Sequence, residues 1–334
     1  MFFILSTGRS GTTTIARSLN TIDGLYAVHE PAPELIRESS AYHYGKMTQE
    51  EIAKILTDTR KPLVDGSAYC ESNQCLSLMI PALREVFPEA RYVWLIRNAM
   101  DVVASTMQKQ WYTGHSENND NYENCSEIEK DWIDGRIRGD LCGEMSPEEW
   151  ENMSRFAKCC WYWSYVNRVI KRELSGLGQS KHYVLLLEDI DEEYRKLVSW
   201  MGLKYQDKYG VRVENVARRV PYHWSEWGLD EWSAFEKWCG PLMNEFYPSW
   251  KRFTKDLMGD KEENRFILSY MNTLKYQASH YKNEMEKNKD SLNEKTVLLN
   301  QKNKEIQFIK KSLSWRITSP LRFVGKLLIG KKQK

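Results

Sequence analysis

The chain has 334 residues, of which 41% are hydrophobic and 13 are tryptophan, so it is long enough to bury one large core or two ordinary ones. Its 48 Lys+Arg and 46 Asp+Glu leave a net charge of +2, but residues 275–334 hold 15 of the basic and only 5 of the acidic side chains. The body therefore carries −8 and the tail +10. This balance excludes nucleic acid as an expected partner of the body, disfavours a polyanionic substrate, and predicts an anionic surface as a partner of the tail.

The cysteines and the hydropathy of the sequence predict the cellular compartment of the protein. The seven cysteines include the close pairs Cys70 and Cys75 and Cys159 and Cys160, but no histidine stands at zinc-ligand spacing from them. We therefore expect reduced thiols and no metal. No apolar run is long enough to cross a bilayer, and no signal peptide precedes the first predicted strand, so we expect a cytoplasmic protein.

Strands and helices alternate from the N-terminus onward. Short apolar runs predict strands over residues 1–5, 25–28, 62–65, 91–96 and 182–187. Periodic segments and helix-start signals predict helices over residues 15–19, 48–58, 76–87, 99–110, 146–174, 190–201 and 233–246. Alternation of this kind predicts an α/β fold with a parallel sheet and right-handed crossovers.

The first strand runs into a glycine-bearing turn just before the first helix. The turn reads Gly8-Arg9-Ser10-Gly11-Thr12-Thr13. A helix that begins after such a turn presents free N–H groups to a phosphate or sulfate, and the arginine and hydroxyls add further donors. The Walker A pattern G-x-x-x-x-G-K-[S/T] is absent. An ordinary capped turn is the alternative interpretation.

A second candidate site follows the strand at residues 91–96. Arg97 stands at a strand end, where ligands of open α/β sheets collect. Ser105 lies eight residues further on, a little over two helical turns, so both side chains are able to face one anion. A structural salt bridge is the alternative role for Arg97.

Together these two stretches resemble the sulfotransferase superfamily that uses 3′-phosphoadenosine 5′-phosphosulfate (PAPS). Residues 8–13 match its x-[K/R]-x-G-[T/S]-[T/S] signature, and its R-[N/D]-P-x-D-x-x-x-S signature is matched by Arg97, Asn98, Asp101 and Ser105. Looser similarities lie at residues 87–91, 187–190 and 239–247, so that the resemblance covers about residues 1–250. Two departures are Ala99, where proline is usual, and Arg9, where many members have lysine.

The resemblance implies a fold, a donor and a set of roles. The fold is a P-loop-like parallel sheet flanked by helices, over residues 1–255. The reaction moves the sulfuryl group of PAPS to an acceptor hydroxyl by in-line displacement, without a metal. Arg9 would neutralise the 5′-phosphosulfate, and Arg97 with Ser105 would hold the 3′-phosphate. The other donor-binding residues implied are Gly8, Ser10, Gly11, Thr12 and Thr13.

The general base has two candidates at the end of the second predicted strand. Glu30-Pro31 resembles the E-P of carbohydrate sulfotransferases, in which the glutamate is the proposed base. His29 is the rival, because histidine titrates near neutral pH. We favour Glu30. Trp224 and Trp227 are candidates for an adenine contact.

The remaining segments suggest an acceptor and a location. Residues 111–145 form an acidic insertion that we interpret as an acceptor lid. In residues 256–313, a weak coiled-coil seam predicts a long helix and self-association; its apolar residues are Met285, Leu292, Leu299, Ile306 and Leu313. Residues 314–334 have the composition of a basic amphipathic membrane anchor, with a disordered end as the alternative.

The tail also resembles, over residues 314–322, a C-terminal segment of bacterial enzymes that build surface glycans. We therefore predict a cytoplasmic sulfotransferase, peripheral at the inner face of the membrane, that acts on a glycan or a lipid-linked saccharide. A small-molecule kinase and a non-catalytic membrane-associated scaffold are the alternatives. The missing Walker A lysine disfavours the first, and the intact anion-binding turn disfavours the second.

Overall fold

The computed structural model describes residues 1–63, 68–113, 122, 124–206 and 223–254, and six positions between residues 289 and 302. The chain divides into two compact units, Met1–Thr273 and Leu274–Lys334. Most of the predicted C-terminal helix and the whole basic tail lie outside the described residues. Of the predicted seam, the structure describes Leu299, which is helical and 61% exposed.

The first unit is built on five parallel strands in the order β2-β3-β1-β4-β5. The strands are β1 (Phe2–Leu5), β2 (Leu25–His29), β3 (Ala68–Ser72), β4 (Arg91–Ile96) and β5 (His182–Leu186). Ile4 of β1 lies between Ser72 and Val93 in the register, so β1 is the central strand. The predicted α/β class and parallel sheet are confirmed.

Ten helices accompany this sheet in the described part of the chain. They are α1 (Thr12–Leu19), α2 (Ile36–His43), α3 (Gln49–Arg60), α4 (Ile80–Val86), α5 (Ala99–Gln108), α6 (Glu127–Asp134), α7 (Pro147–Asn152), α8 (Arg155–Leu174), α9 (Ile190–Trp200) and α10 (Leu229–Phe246). None of the helices in the described residues is long and apolar enough to cross a membrane.

Both faces of the sheet are buried, as the apolar strands require. Successive side chains of β1 point to opposite faces: Phe3 and Leu5 join the larger core with α5, α8 and α10, while Phe2 and Ile4 join the core with α1 and α9. The buried side of α8 includes Phe156, Cys160, Trp163, Val166 and Asn167.

The third strand was predicted in the wrong place. Lys61–Leu63 is a short 3₁₀ helix, and the strand runs over Ala68–Ser72. The strand sequence Ala-Tyr-Cys-Glu-Ser does not read as an apolar run because it contains the charged residue Glu71. Glu71 is nevertheless fully buried, and it pairs with the buried Arg60 at 2.9 Å. A buried carboxylate with a cation for a partner is invisible to a pattern of hydrophobic residues.

Two predicted helices are each divided. The segment 146–174 forms α7 and α8, because Ser154 starts a second helix by accepting the Ala157 N–H. The segment 76–87 forms the 3₁₀ helix Gln74–Leu78 and then α4, whose first turn contains a proline. Proline cannot donate a backbone hydrogen bond, so it favours a new helix start at this point.

Candidate active site

The carboxyl ends of all five strands lie at one edge of the sheet, and the loops that leave them form the candidate site. From β1 the chain leads to β2, which lies on one side of β1 in the sheet. From β3 it later crosses to β4, which lies on the other side of β1. The strand order therefore reverses between β1 and β4, which is where open α/β sheets bind ligands. Arg9 follows β1 and Arg97 follows β4, so both predicted cations lie beside this crevice.

The turn after β1 depends on its two glycines. Gly11 caps α1 with a φ of 85°, a left-handed conformation that favours glycine, and a Cβ there would lie 2.8 Å from Leu187. A Cβ on Gly8 would overlap Gln74 and lie 2.6 Å from Trp111. The Ser10 hydroxyl is buried and lies 2.6 Å from the Thr7 hydroxyl, so it holds the turn together from within.

Thr12 and Thr13 occupy the first turn of α1, after the glycine cap. The backbone N–H groups of a first helical turn have no partner within the helix, and they carry the positive end of the helix dipole. The structure thus has the predicted arrangement of strand, glycine-bearing turn and helix, and the helix start is suited to an anion.

Arg9 makes hydrogen bonds both to Ser105 and to Arg97. Arg9 Nε donates to Ser105 Oγ at 3.0 Å, and Arg97 Nη1 donates to the carbonyl oxygen of Arg9 at 3.1 Å. Arg97 Nη2 also pairs with Asp101 at 3.1 Å. Burial, and then the nearby Arg97 charge, lower the pKa of Arg9. Two cations crowded beside one crevice form a site for a ligand with more than one negative charge.

The backbone that carries Arg97 is held by buried groups. Asn98 donates to Glu188 from its backbone N–H at 3.0 Å and from Nδ2 at 2.8 Å, and Tyr247 donates to the other Glu188 oxygen at 2.7 Å. Trp163 Nε1 donates to the Arg97 carbonyl at 2.9 Å. Asn98 also caps α5, so the turn keeps its shape although Ala99 replaces the usual proline.

Glu30 leaves β2 in a strained conformation. Its φ is 44°, a left-handed value that non-glycine residues rarely adopt and that is often found at functional sites. Gln74 Nε2 donates to Glu30 Oε1 at 3.1 Å. Burial raises the pKa of Glu30, while the nearby His29, the Gln74 hydrogen bond and Arg9 oppose that rise. A carboxylate with a raised pKa is better matched to proton transfer near neutral pH.

His29 faces Glu30. Its Nδ1 donates to the Ser72 carbonyl at 3.0 Å, which leaves Nε2 at 3.7 Å from Glu30 Oε2. The two candidate bases are therefore neighbours at one position, and a change at either alters the surroundings of the other.

Two further residues, which the sequence did not indicate, connect the turn to Glu30. The Gly8 N–H donates to the Tyr162 hydroxyl at 3.0 Å, and that hydroxyl donates to Gln74 Oε1 at 3.1 Å. Gln74 then donates to Glu30. Tyr162 lies in the middle of a helix expected to be core, and Gln74 follows the misplaced third strand. A correct β3 would have placed Gln74 at the edge of the sheet where ligands bind.

The loop after Glu30 is held in place by a buried arginine, Arg60. Arg60 is fully buried, and its Nη2 donates to the carbonyl oxygens of Pro31 at 3.2 Å and Pro33 at 2.8 Å. Its Nε pairs with Glu71 at 2.9 Å. Arg60 therefore fixes the backbone that immediately follows the candidate base.

The two tryptophans proposed for the adenine contact lie in different surroundings. Trp227 packs in an aromatic group, 4.8 Å from the Phe156 ring and 5.2 Å from the Phe235 ring. The Trp224 ring lies 4.8 Å from the His223 ring and is tilted by 38° relative to it. Both tryptophans therefore stay candidates for the adenine contact.

The cysteines take no part in this geometry. All seven are free thiols, and burial raises the pKa of several of them, including that of Cys142 to about 12. Within the described ranges, no group of three or more His, Cys, Asp and Glu side chains is arranged to hold a metal ion.

A parallel sheet with a glycine-bearing turn and two arginines at its switch point offers a site suited to an anionic ligand. The family model described as the sulfotransferase domain matches residues 1–237. The chain therefore belongs to the sulfotransferase domain family, and it is an enzyme that transfers a sulfuryl group. The predicted superfamily and fold are confirmed.

Three solved structures are similar to the chain. The sulfotransferase domain of the curacin biosynthetic pathway is 12% identical with a TM-score of 0.42, over 77% of this chain and 98% of that one. A sulfotransferase from Mycobacterium avium is 14% identical with a TM-score of 0.42, over 74% and 76%. One from Alicyclobacillus acidocaldarius is 15% identical with a TM-score of 0.40, over 75% and 98%. No curated protein matches the sequence significantly.

Proposed function

We propose that the enzyme transfers the sulfuryl group of PAPS to a hydroxyl of a glycan or lipid-linked saccharide. The single observation that carries the proposal is the meeting of Arg9, Arg97 and Ser105 at the switch point, through two hydrogen bonds of 3.0 and 3.1 Å. PAPS carries a 5′-phosphosulfate and a separate 3′-phosphate, and this part of the site offers one cation for each.

The donor would lie across the crevice between β1 and β4. The turn of residues 8–13 and the Arg9 guanidinium would hold the 5′-phosphosulfate. Arg97 and Ser105 would hold the 3′-phosphate, with Trp224 or Trp227 beside the adenine. Arg9 uses only one of its five donor hydrogens on Ser105, so its guanidinium retains donors for the phosphosulfate.

The proposed transfer is a single displacement at sulfur, and it needs no covalent enzyme intermediate. The acceptor oxygen attacks sulfur, the bond between sulfur and the bridging phosphate oxygen breaks, and 3′,5′-ADP leaves. Glu30 accepts the hydroxyl proton, with His29 as the rival for that role. Arg9 stabilises the charge that grows on the leaving phosphate. Positioning and electrostatics therefore supply most of the catalysis.

Support for a saccharide acceptor comes from the sequence. Glu30-Pro31 resembles the corresponding segment of carbohydrate sulfotransferases, and residues 314–322 resemble a segment of enzymes that build surface glycans. The basic tail supports a location at the inner face of the membrane. The described part of residues 111–145 borders the site through Trp111, as an acceptor-binding segment should.

A comparison of two nucleotides tests the donor. We expect 3′,5′-ADP to raise the Tm of the full-length protein, and ATP with Mg²⁺ to leave it unchanged. Stabilisation by ATP with Mg²⁺ alone would indicate a kinase, and stabilisation by neither a non-catalytic scaffold. Transfer of labelled sulfate from PAPS to a panel of saccharides then identifies the acceptor.

A further inference from the structure

A small cavity lies next to Gln74, the side chain that donates to the candidate base. Its volume is about 40 Å³ and it is partly open to solvent. Gln74, Trp111, Arg136 and Tyr162 are among the residues that line it. A cavity of this size holds a few water-sized groups, which is enough for one phosphate, sulfate or carboxylate group and too small for a sugar ring.

Arg136 brings a positive charge into this cavity. Its guanidinium stacks on the Trp111 ring at 3.8 Å and lies 5.7 Å from the Tyr112 ring. Burial lowers the pKa of Arg136, and the groups that oppose this are the tyrosines Tyr112 and Tyr162 and the thiol of Cys159. Among the residues that the structure describes, no carboxylate pairs with it.

Two other arginines of the same unit are instead paired with carboxylates. Arg138, two residues further along, pairs with Asp140 at 3.0 Å and with Glu151 at 2.8 Å. The fully buried Arg60 pairs with Glu71. Arg136 keeps part of its surface exposed, whereas Arg60 is fully buried. Because enclosing a charge without a counter-charge is costly, the partly enclosed guanidinium of Arg136 favours an anionic ligand.

The cavity shares its wall with the catalytic machinery. Gln74 lines the cavity and donates to Glu30, and Tyr162 lines it and accepts from the Gly8 N–H. Trp111, on which Arg136 stacks, lies against Gly8 itself. A group held at Arg136 is thus one side chain away from both the base and the phosphosulfate turn.

We propose that Arg136 and its cavity bind an anionic substituent of the acceptor, so that the acceptor is a saccharide that already carries a phosphate, sulfate ester or carboxylate. This inference rests on the proposed function and narrows its substrate class. It is compatible with the expectation from net charge, which disfavoured a polyanionic substrate, because a single anionic substituent does not make the acceptor a polyanion.

Binding of matched sugars to the full-length protein, saturated with 3′,5′-ADP, tests the inference. The probes are glucose 6-phosphate, glucuronate, glucose and inorganic phosphate, titrated by calorimetry at constant ionic strength. Arg136→Met removes the charge, and Arg136→Lys keeps it. Arg195→Met is the matched control, because Arg195 also stacks on a tyrosine ring, at 5.3 Å, but lies on α9. Binding of 3′,5′-ADP by each variant reports whether it is folded.

We expect glucose 6-phosphate or glucuronate to bind the wild-type protein at least about tenfold more tightly than glucose, and Arg136→Met to lose that preference. Arg136→Lys should keep most of it, and Arg195→Met all of it. Equal binding of charged and neutral sugars, or a preference that survives Arg136→Met, would overturn the inference. So would an Arg136-dependent site for inorganic phosphate that admits no charged sugar. Failure of 3′,5′-ADP to bind the wild-type protein would instead refute the proposed donor.

Discussion

The proposed donor side and the proposed acceptor side of this site are built in different ways. On the donor side, Gly8 to Thr13 form one continuous turn, and Arg97 and Ser105 lie within nine residues of each other. On the acceptor side, Glu30, Gln74, Arg136 and Tyr162 come from four separate segments and meet only in the folded chain. The donor site is therefore readable as local motifs, whereas the acceptor site is assembled by tertiary contacts.

This difference has a functional reason. A donor that is the same throughout a family needs the same turn and cations, so its binding site is a fixed sequence pattern. An acceptor that differs between enzymes needs a pocket that tolerates change, and side chains contributed by loops and helices provide it. Variants on the two sides should accordingly affect different measurements.

The largest effect is expected at Glu30, where the two sides meet. Glu30→Gln keeps the shape and removes the proton acceptor, so kcat should fall by about 10²- to 10⁴-fold. Steady-state transfer of labelled sulfate measures this loss, and binding of 3′,5′-ADP should be unchanged. Under the same assay His29→Gln should lose less than Glu30→Gln. Full activity of Glu30→Gln, with inactive His29→Gln, would reverse the assignment.

Arg60→Met should cost the most stability. The substitution leaves Glu71 buried without its cation and frees the carbonyls of Pro31 and Pro33. Breaking a buried pair by removing one partner costs about 3–5 kcal/mol, so the free energy of unfolding should fall by that amount in urea. Arg168→Met is the control, since its pair with Glu144 is partly exposed and worth about 0–1 kcal/mol. Equal losses in the two variants would show that burial of the pair does not matter.

Arg97→Ala should weaken the donor side alone. Hydrogen bonds to charged groups contribute about 1.5–3 kcal/mol each, so the Kd for 3′,5′-ADP should rise by roughly 10- to 150-fold. Calorimetric titration measures the change. Adenosine 5′-phosphosulfate, which lacks the 3′-phosphate, should bind wild type and Arg97→Ala equally well. An equal loss for both nucleotides would place Arg97 on a different part of the donor.

The sequence predicted most of the fold, and the position of the turn after β1, for a physical reason. Parallel strands buried on both faces read as apolar runs, and β4 was predicted at its observed residues, 91–96. The capping box of α3 at Thr48 and Glu51 is also a local signal, and it is present. Gly8 and Gly11 were identified because turns of this kind require residues without a side chain.

The parts that the sequence missed depend on partners far along the chain. β3 contains Glu71, whose burial is compensated by Arg60. Tyr162 is 154 residues from Gly8, and Gln74 is 44 residues from Glu30. In the sequence alone, Tyr162 resembles any core aromatic residue and Gln74 any polar residue. The predicted roles of Glu30, Arg97 and Ser105 stay predictions until the variants are measured.

Gln74 gives the smallest and most diagnostic effect. Its hydrogen bond to Glu30 favours the charged carboxylate and so opposes the rise that burial causes in the pKa of Glu30. Gln74→Leu removes that bond, and the pKa of Glu30 should rise further. Because the base must be deprotonated to act, the acid limb of the kcat/KM profile should move to higher pH, with a loss at neutral pH of about tenfold or less.

Gln49→Leu is the matched control for this prediction, because Gln49 makes a similar 2.7 Å bond to the exposed Glu85. Its acid limb should coincide with that of the wild type. In Glu30→Gln the acid limb should be absent from the pH profile of the residual kcat/KM. Adding Gln74→Leu to that variant should then leave the pH profile unchanged. A limb that stays in place in Gln74→Leu, or one that still moves when Glu30 is absent, would mean that another group on the acceptor side takes the proton. His29, 3.7 Å from Glu30, would then become the base to test.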